Sequence, residues 1–167
     1  TATATPLVRE DIEVRLKLRN PQRFVKSFSR PNLSYSVRFE EHKERKLLEV
    51  LQRVSGSAVV YVSTRKHARE VAQWLSQHHI SADYYHAGLT FQERSAKQED
   101  WVHNRTRVIV STNAFGMGID KPDVRVVVHM DLPDNLEAYY QEAGRAGRDE
   151  KKAFALIICN QADIEHL

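Results

Sequence analysis

Short apolar runs alternate with amphipathic segments along most of the chain. Five runs of mostly Val, Ile, Ala and aromatic residues lie at positions 58–62, 82–85, 108–110, 124–128 and 153–158. These runs show little alternation between apolar and polar residues, which is typical of strands buried on both faces of a parallel sheet. We therefore predict a mostly parallel central sheet with helices on both of its faces.

Segments with helical periodicity separate the apolar runs. In three places, apolar residues recur at the i, i+3, i+4 and i+7 spacing of an amphipathic helix. They are Leu47, Val50, Leu51 and Val54; Ala68, Val71, Ala72 and Leu75; and Leu136, Tyr139, Tyr140 and Ala143. Thr90 with Glu93, and Asp134 with Glu137, have the spacing of capping boxes. The alternation of strands and helices predicts right-handed βαβ units in a three-layer α/β fold.

The first forty residues have a different pattern. Apolar and charged residues alternate from Ile12 to Leu18, which predicts a half-exposed strand over residues 12–18. A second alternation, from Leu33 to Phe39, predicts another strand over residues 33–39.

Composition excludes several classes of protein. The chain has 167 residues, of which 41% are hydrophobic and 28% charged, so a globular core is expected rather than global disorder. The net charge of +3 permits a nucleic-acid partner without requiring one. The single cysteine, Cys159, excludes an internal disulfide and a multi-cysteine zinc site. The apolar runs are far shorter than the ~20 residues of a membrane-spanning helix.

Polar residues follow the predicted strands, at the edge where a parallel α/β sheet binds its ligands. Ser63, Thr64 and Arg65 combine hydroxyl groups, a helix start and a cation, which suits a phosphate group. The alternative is that Ser63 or Thr64 caps the helix and that Arg65 is solvated. His86 and Gly88 follow the next strand and suit either a phosphate contact or a tight turn.

A segment with two glycines follows the third predicted strand. Gly116 and Gly118 indicate an unusual backbone conformation or a close approach to a ligand. Asp120 suits either a ribose hydroxyl or a turn before Pro122. The sequence contains no GxxxxGK[ST] phosphate loop, so we expect this chain to bind no nucleoside triphosphate unaided.

The strongest candidate site is QEAGRAGRD at residues 141–149. Arg145 and Arg148 each follow a glycine, and arginine grips phosphate oxygens in a planar, bidentate manner. The alternative is a solvated basic helix end that the helix dipole favours. We favour a ligand site because each glycine inside a helix costs ~1 kcal/mol relative to Ala.

Four motifs together resemble the second RecA-like lobe of a superfamily 2 helicase, and specifically that of the RecQ family of DNA helicases. They are TATAT at residues 1–5, YYHAGL at residues 84–89, AFGMGIDKPDVR at residues 114–125 and YYQEAGRAGRDE at residues 139–150. The resemblance implies a three-layer RecA-like fold. It also implies that residues 1–11 are the end of a first-lobe motif and an interlobe linker, and that residues 12–167 are the helicase C-terminal domain.

The resemblance also implies roles for the candidate residues. ATP and Mg²⁺ are expected to be held mainly by a first lobe upstream. Gly118, Asp120, Gln141, Arg145 and Arg148 are expected to face the nucleotide, with Arg148 as the arginine finger and Arg145 as its partner. The residues expected to contact single-stranded DNA are Ser63, Thr64, Arg65, His86, Gly88, Thr112 and Asn113.

The function that follows from the resemblance is ATP-dependent translocation on DNA in the 3′ to 5′ direction, in repair or recombination. The expected partners are single-stranded and partly duplex DNA and the first RecA-like lobe of the same chain. We expect this lobe to be inactive by itself, to hold no metal, and to act in the nucleus of a eukaryote or at the nucleoid in bacterial cytoplasm. Two alternatives stay open: a non-catalytic nucleic-acid-binding adaptor lobe, and an RNA helicase of a sister family. Many RecQ members carry a four-cysteine zinc module after this lobe, and the single cysteine here departs from that pattern.

Overall fold

The computed structural model describes residues 5–25, 29–116 and 119–165. The chain separates into two compact units, one up to Pro31 and one from Asn32 onwards. Most of the TATAT sequence and Gly118 lie outside the described residues, so their expected roles stay predictions. The functional boundary expected between residues 11 and 12 also stays a prediction.

The first unit contains helix α1 (Pro6–Arg15), so the strand predicted over residues 12–18 is wrong. Thr5 caps the helix by accepting a hydrogen bond from the Val8 amide at 3.4 Å. Pro6 occupies the start of the helix, where its fixed φ favours helical backbone. No residue of α1 is buried, so its apolar residues mark no buried face and their alternation carried no information about the backbone.

A parallel sheet forms the centre of the second unit. Its strands are β1 (Leu33–Phe39), β2 (Ser57–Tyr61), β3 (Ala82–Tyr85), β4 (Val108–Ser111), β5 (Val124–His129) and β6 (Ala153–Cys159). In the described residues they form one sheet in the order β1-β6-β5-β2-β4-β3, and each adjacent pair is parallel. The predicted parallel sheet is confirmed, and so is the strand over residues 33–39.

Helices cover both faces of this sheet. They are α2 (Lys43–Arg53), α3 (Arg65–Gln77), α4 (Phe91–Val102), α5 (Leu136–Ala143) and the short α6 (Gln161–Glu165). Buried residues of α2 and α3 pack on Ala58 and Val60 of β2. Residues of α4 and α5 pack with Val59 and Tyr61 on the other face. Because alternate residues of β2 enter two different cores, the three-layer α/β prediction is confirmed.

The capping box predicted at the start of α4 is observed, and the one predicted at the start of α5 is not. Thr90 and Glu93 form the predicted capping box at α4. At α5 the predicted cap, Asp134, is wrong, because Asn135 accepts a hydrogen bond from the Ala138 amide at 2.8 Å. The helix begins one residue later than the Asp134–Glu137 spacing indicated.

Two basic side chains, Lys121 and Arg107, form hydrogen bonds within the protein. Lys121 is 5% exposed, and its Nζ donates to the Val102 carbonyl at 3.1 Å and to Asn104 Oδ1 at 2.9 Å. Arg107 donates to the Val54 carbonyl at 2.6 Å, beyond the end of α2. Both cations therefore satisfy backbone carbonyls that a helix end leaves without partners.

Three properties of the described residues concern membrane-spanning helices, metal ligands and thiol groups. No described helix is both long enough and apolar enough to cross a membrane. Within residues 5–25, 29–116 and 119–165, no group of three or more His, Cys, Asp or Glu side chains could hold a metal ion. Cys159 is a buried free thiol.

Candidate functional site

The carboxyl ends of the parallel strands lie at one edge of the sheet, and the segment after β2 starts there. Ser63 and Thr64 are exposed and join β2 to α3. The Ser63 amide donates to Asp131 Oδ2 at 2.6 Å. Thr64 Oγ1 accepts from the His67 amide at 3.1 Å, so the helix-capping alternative is observed for Thr64. Nucleic-acid contacts of both hydroxyls stay predictions.

Arg65, His86 and Gly88 come together at the ends of β2 and β3. A Cβ built on Gly88 would lie 2.8 Å from Arg65 Nη1 and 3.3 Å from His86 Nδ1. Burial lowers the pKa of His86, and the positive charge of Arg65 lowers it further. Within the described residues, His86 Nδ1 is buried without a hydrogen-bond partner. The structure thus places these three sequence-predicted residues side by side, with Arg65 supplying the positive charge, and their nucleic-acid contacts stay predictions.

A cavity of about 170 Å³ lies at the ends of β2, β4 and β5. Asn113 and Ser63 line this cavity, and both are exposed. Thr112 is half-buried, and its carbonyl accepts hydrogen bonds from Ser111 Oγ at 2.7 Å and from the Phe115 amide at 3.3 Å. The structure therefore places Asn113 at the cavity and gives the Thr112 backbone a role in the turn after β4.

In the described part of the segment with two glycines, Gly116 occupies a backbone position that requires glycine. Gly116 has φ +126°, a conformation that L residues rarely adopt. A Cβ at Gly116 would overlap the guanidinium of Arg145. The glycine therefore serves a close approach to an arginine of the same chain. Asp120 is 84% exposed at its side chain and ends the same segment.

The arginine segment, residues 144–148, differs from the prediction in its backbone. Helix α5 ends at Ala143, so Gly144 and Gly147 follow the helix and the expected helical glycine penalty does not apply. Gly144 is the C-cap residue, and Gly147 has φ +64°. The Gly147 amide donates to the Val124 carbonyl at 2.8 Å. The glycines therefore build a turn that leads back to β5.

Arg145 points into the protein. Its Nε donates to the Tyr61 hydroxyl at 2.9 Å, and its Nη1 donates to the Gly116 carbonyl at 2.5 Å. These bonds join the arginine segment to β2 and to the segment after β4. The alternative of a solvated basic helix end is wrong for this side chain.

Arg148 is more open to solvent than Arg145. Its side chain is 38% exposed, and its Nη1 donates to Asp120 Oδ1 at 2.9 Å and to the Ile119 carbonyl at 3.3 Å. Asp120 is itself mostly exposed, so an anionic ligand can compete for this guanidinium. Gln141 lies on the last turn of α5 and is exposed. The structure thus brings together three of the residues expected to face a nucleotide: Arg145, Arg148 and Asp120.

Sequence reasoning missed a buried pair beside these residues. His129, at the end of β5, is 1% exposed, and its Nε2 lies 2.8 Å from Glu142 Oε2. The His129 ring also stacks on Tyr61, with 5.1 Å between ring centroids. A polar residue at the end of the apolar run 124–128, and a glutamate on the buried side of α5, are the signals that could have pointed to it.

A second polar cluster lies at the start of α3. His67 Nδ1 is 3.5 Å from Asp131 Oδ2, and Lys43 Nζ is 3.6 Å from Asp131 Oδ1. Burial alone would raise the pKa of Asp131, but hydrogen bonds from His67 and Ser63 lower it overall. The hydrogen bond to Asp131 raises the pKa of His67. This cluster fixes the segment after β2 to the end of β5.

Comparisons with known proteins agree with this architecture. Residues 42–150 match the family described as helicase conserved C-terminal domain. The RecQ-like DNA helicase blm-1 of Caenorhabditis elegans is 42% identical over 168 residues, which cover 98% of this chain and 17% of that protein. The ATP-dependent DNA helicase RecQ of Bacillus subtilis is 40% identical over 165 residues, which cover 98% of this chain and 28% of that protein.

Solved structures show the same fold. The E. coli DEAD-box protein SrmB, bound to the regulator of ribonuclease activity A, has a TM-score of 0.70 and 28% identity. The match covers 79% of this chain and 78% of that one. The S. cerevisiae Dbp5 structure bound to RNA and ADP BeF3 has a TM-score of 0.78 over 99% of this chain and 46% of that one, at 24% identity.

The parallel sheet, its two helical layers and the matched structures define the RecA-like class of helicase lobes. The two relatives described above, with about 40% identity along nearly all of this chain, carry the names of RecQ or RecQ-like DNA helicases. The chain accordingly belongs to the helicase conserved C-terminal domain family, as a member from the RecQ helicases.

Proposed function

We propose that this chain is the second motor lobe of an ATP-dependent DNA helicase that moves 3′ to 5′. The observation that carries this proposal is the placement of Arg148, a partly exposed guanidinium that contacts the Ile119 carbonyl and the mostly exposed carboxylate of Asp120. An arginine in this state can leave its carboxylate partner and pair with phosphate oxygens when two lobes close. Arg145, which is anchored to Tyr61 and Gly116, holds the segment from which Arg148 projects.

We expect the nucleotide that a neighbouring lobe holds to lie beside Arg148, with Arg145 as its partner. The chain has no phosphate loop of its own, and the two relatives described above extend well beyond the part that this chain matches. In this proposal ATP and Mg²⁺ would be held mainly by the first lobe, and the metal would supply positive charge to the phosphates. Arg148 stabilises negative charge on the transferred phosphoryl group, and Asp120, Gln141 and Gly118 border the nucleotide.

The edge at the strand ends is proposed to grip single-stranded DNA by its backbone. Arg65 supplies a cation beside His86, and Gly88 lets the Arg65 guanidinium lie close to the backbone after β3. Ser63, Thr64, Thr112 and Asn113 are the proposed neutral contacts. Backbone contacts carry no base information, so such a lobe moves along any sequence. Alternate closing and opening of two lobes that both hold the strand shifts it stepwise.

Names of relatives favour DNA over RNA without deciding between them. The two relatives described above are named DNA helicases, whereas a mimivirus relative with 38% identity is named a putative ATP-dependent RNA helicase. A DNA substrate agrees with a role in repair or recombination, in a nucleus or at a bacterial nucleoid. An RNA helicase and a non-catalytic adaptor lobe are the competing functions.

Strand separation by the full-length protein tests this proposal. Four substrates are compared: duplexes with a 3′ or a 5′ single-stranded tail, each made of DNA or of RNA. We expect ATP-dependent unwinding of the 3′-tailed DNA duplex. Unwinding that requires an RNA tail would favour the sister family, unwinding from a 5′ tail would overturn the polarity, and no unwinding or translocation at all would favour the adaptor.

A further inference from the structure

Two buried side chains, Tyr61 and His129, and the partly buried Glu142 lie beside the strand-end cavity and the arginine segment. All three line the cavity of about 170 Å³. His129 is 1% exposed and the Glu142 side chain 13%, with 2.8 Å between Nε2 and Oε2. The rings of His129 and Tyr61 stack at 23°. They are called the relay cluster below.

The relay cluster contacts the arginine segment directly. The Tyr61 hydroxyl accepts a hydrogen bond from Arg145 Nε at 2.9 Å and donates one to the Phe115 carbonyl at 3.1 Å. Burial raises the pKa of Tyr61, so its hydroxyl keeps the proton that it donates. The Arg145 amide donates to the Glu142 carbonyl at 3.2 Å. A displacement of Tyr61 or Glu142 is therefore transmitted to Arg145.

The same cluster faces the proposed nucleic-acid surface. Ser63 and Asn113 line the cavity together with the relay cluster. Ser63 follows Tyr61 by two residues, after Val62. A strand that contacts Ser63 or Asn113 would thus lie beside Tyr61, whose hydroxyl holds Arg145. Because a ligand shifts a conformational equilibrium only through contacts that differ between states, shared side chains are what coupling requires.

The stability of the fold does not by itself explain why polar side chains occupy these positions. Burying a pair of polar side chains is often no more stabilising than burying apolar side chains of the same size. Among the described residues, His129 Nδ1 is buried and has no hydrogen-bond partner, which costs further stability. A cluster in which one buried nitrogen lacks a hydrogen-bond partner suits a role in which its side chains change position.

We propose that Tyr61, His129 and Glu142 are positioning residues that couple nucleic-acid occupancy of the strand-end cavity to the placement of Arg145 and Arg148. This inference rests on the proposed function and adds to it the route by which DNA stimulates ATP hydrolysis. The residues touch neither the nucleotide nor the reacting atoms; they act through Arg145.

The test uses the full-length protein and the ratio of the DNA-stimulated to the DNA-free rate of ATP hydrolysis. Tyr61→Phe keeps the stacked ring and removes only the hydroxyl that Arg145 contacts. We expect the ratio to fall at least about fivefold, in the range of ordinary coupling between sites. The affinity for single-stranded DNA, measured by fluorescence anisotropy, should change less than twofold. The ratio is insensitive to a loss of folded protein, since misfolding lowers both rates together.

Two further variants keep the inference falsifiable if Tyr61→Phe folds poorly. Glu142→Ala removes the partner of His129 and should lower the ratio in the same way. Glu142→Gln keeps an acceptor at the same position and should restore most of the ratio. Tyr139→Phe is the matched control, because it keeps the ring that packs edge-on against His129 and removes only a tyrosine hydroxyl from α5. It should leave the ratio unchanged.

The outcomes separate this inference from the proposed function. The coupling would be overturned if Tyr61→Phe and Glu142→Ala left the ratio unchanged, including the case in which the DNA-stimulated and DNA-free rates fall equally. The proposed function would survive that result, provided that DNA still stimulates the wild-type protein. A wild-type protein that DNA does not stimulate would overturn the proposed function itself and the coupling with it.

Discussion

Two segments that looked alike in sequence differ in structure: the one after β2, with Ser63, Thr64 and Arg65, and the arginine segment, residues 144–148. Both combine small or hydroxyl residues with cations beside a helix terminus. After β2, Thr64 caps α3 and Arg65 is exposed. In the arginine segment, Arg145 reaches across to Tyr61 and Gly116.

The difference lies in where the hydrogen-bond partners come from. Thr64 is satisfied by an amide three residues away, so its geometry follows from local sequence. Arg145 is satisfied by groups 84 and 29 residues away. A cation that the fold anchors at such a distance has a fixed direction. This suits a segment that presents Arg148, whereas a solvated cation such as Arg65 suits a flexible backbone contact.

The largest expected effect is that of Arg148→Ala in the full-length protein. Removal of an arginine finger lowers phosphoryl-transfer rates by ~10³–10⁵-fold in related systems. We expect the turnover rate to fall by at least ~10³-fold while ATP affinity stays within a few-fold, since the first lobe holds the nucleotide. Arg53→Ala is the control, because Arg53 is 77% exposed and pairs with Glu49. A normal turnover rate in Arg148→Ala would exclude the finger assignment.

A smaller but still large effect is expected from Gly116→Ala. The new methyl group would overlap the Arg145 guanidinium at a backbone φ of +126°. Backbone strain of this kind costs on the order of 1–3 kcal/mol of unfolding free energy, and ATP turnover should fall as well.

Gly88→Ala is the matched comparison for stability. Its φ does not lie in the left-handed region, and the nearest atom to a Cβ is the mobile end of Arg65. Urea denaturation of both variants measures the two free energies. Equal losses at Gly116 and Gly88 would mean that Arg145 is not anchored as described.

In the segment after β2, Thr64→Ala and Arg65→Ala should affect different quantities. Loss of the Thr64 cap should lower the unfolding free energy by ~0.5–2 kcal/mol. Loss of Arg65 should leave stability nearly unchanged and reduce the salt dependence of single-stranded DNA binding by a slope of about 0.7. Affinity titrations at several salt concentrations measure this slope. An unchanged slope would remove Arg65 from the proposed DNA surface.

The smallest expected effect is the pH dependence that comes from His67 and Asp131. The pKa of His67 is raised, so its stabilising contribution is present below about pH 6.5 and is lost as the pH rises through the folded pKa. The pKa of Asp131 is lowered, so its contribution is present above about pH 4 and is lost as the pH falls further. The pair should therefore stabilise most between these values.

Asp131→Asn tests this pH window. The stability difference between wild type and variant should be larger at pH 5.5 than at pH 9, by less than ~1 kcal/mol for a pair at the surface. In NMR titrations the pKa of His67 should be lower in Asp131→Asn than in the wild type. A His67 titration that the substitution does not move would show that the two residues are uncoupled.

The sheet could be predicted because its strands are buried on both faces. Residues 58–62 and 108–110 are apolar without alternation, and every residue of β2 and β4 is buried. The pattern failed over residues 12–18, where α1 buries no residue and apolar positions carry no constraint. There the Thr5–Pro6 start signal was the more reliable guide.

The sequence allowed residues of the candidate site to be identified, but not the hydrogen bonds between them. Arg145, Arg148 and Asp120 were identified from the sequence, and the structure brings them together. The bonds from Arg145 to Tyr61 and from His129 to Glu142 depend on which strands are neighbours, and single-sequence periodicity does not report strand order. Gly147 was interpreted as a helical glycine, whereas its φ of +64° places it in a turn.

ATP hydrolysis by the full-length protein tests the central claim most directly, with no nucleic acid, with single-stranded DNA and with single-stranded RNA. If this lobe is part of a DNA-dependent motor and Arg148 completes the ATP site, single-stranded DNA should raise the rate of ATP hydrolysis strongly and single-stranded RNA should not. Equal rates in all three conditions would contradict the account, because this lobe would then have no link between a nucleic-acid strand and its arginines.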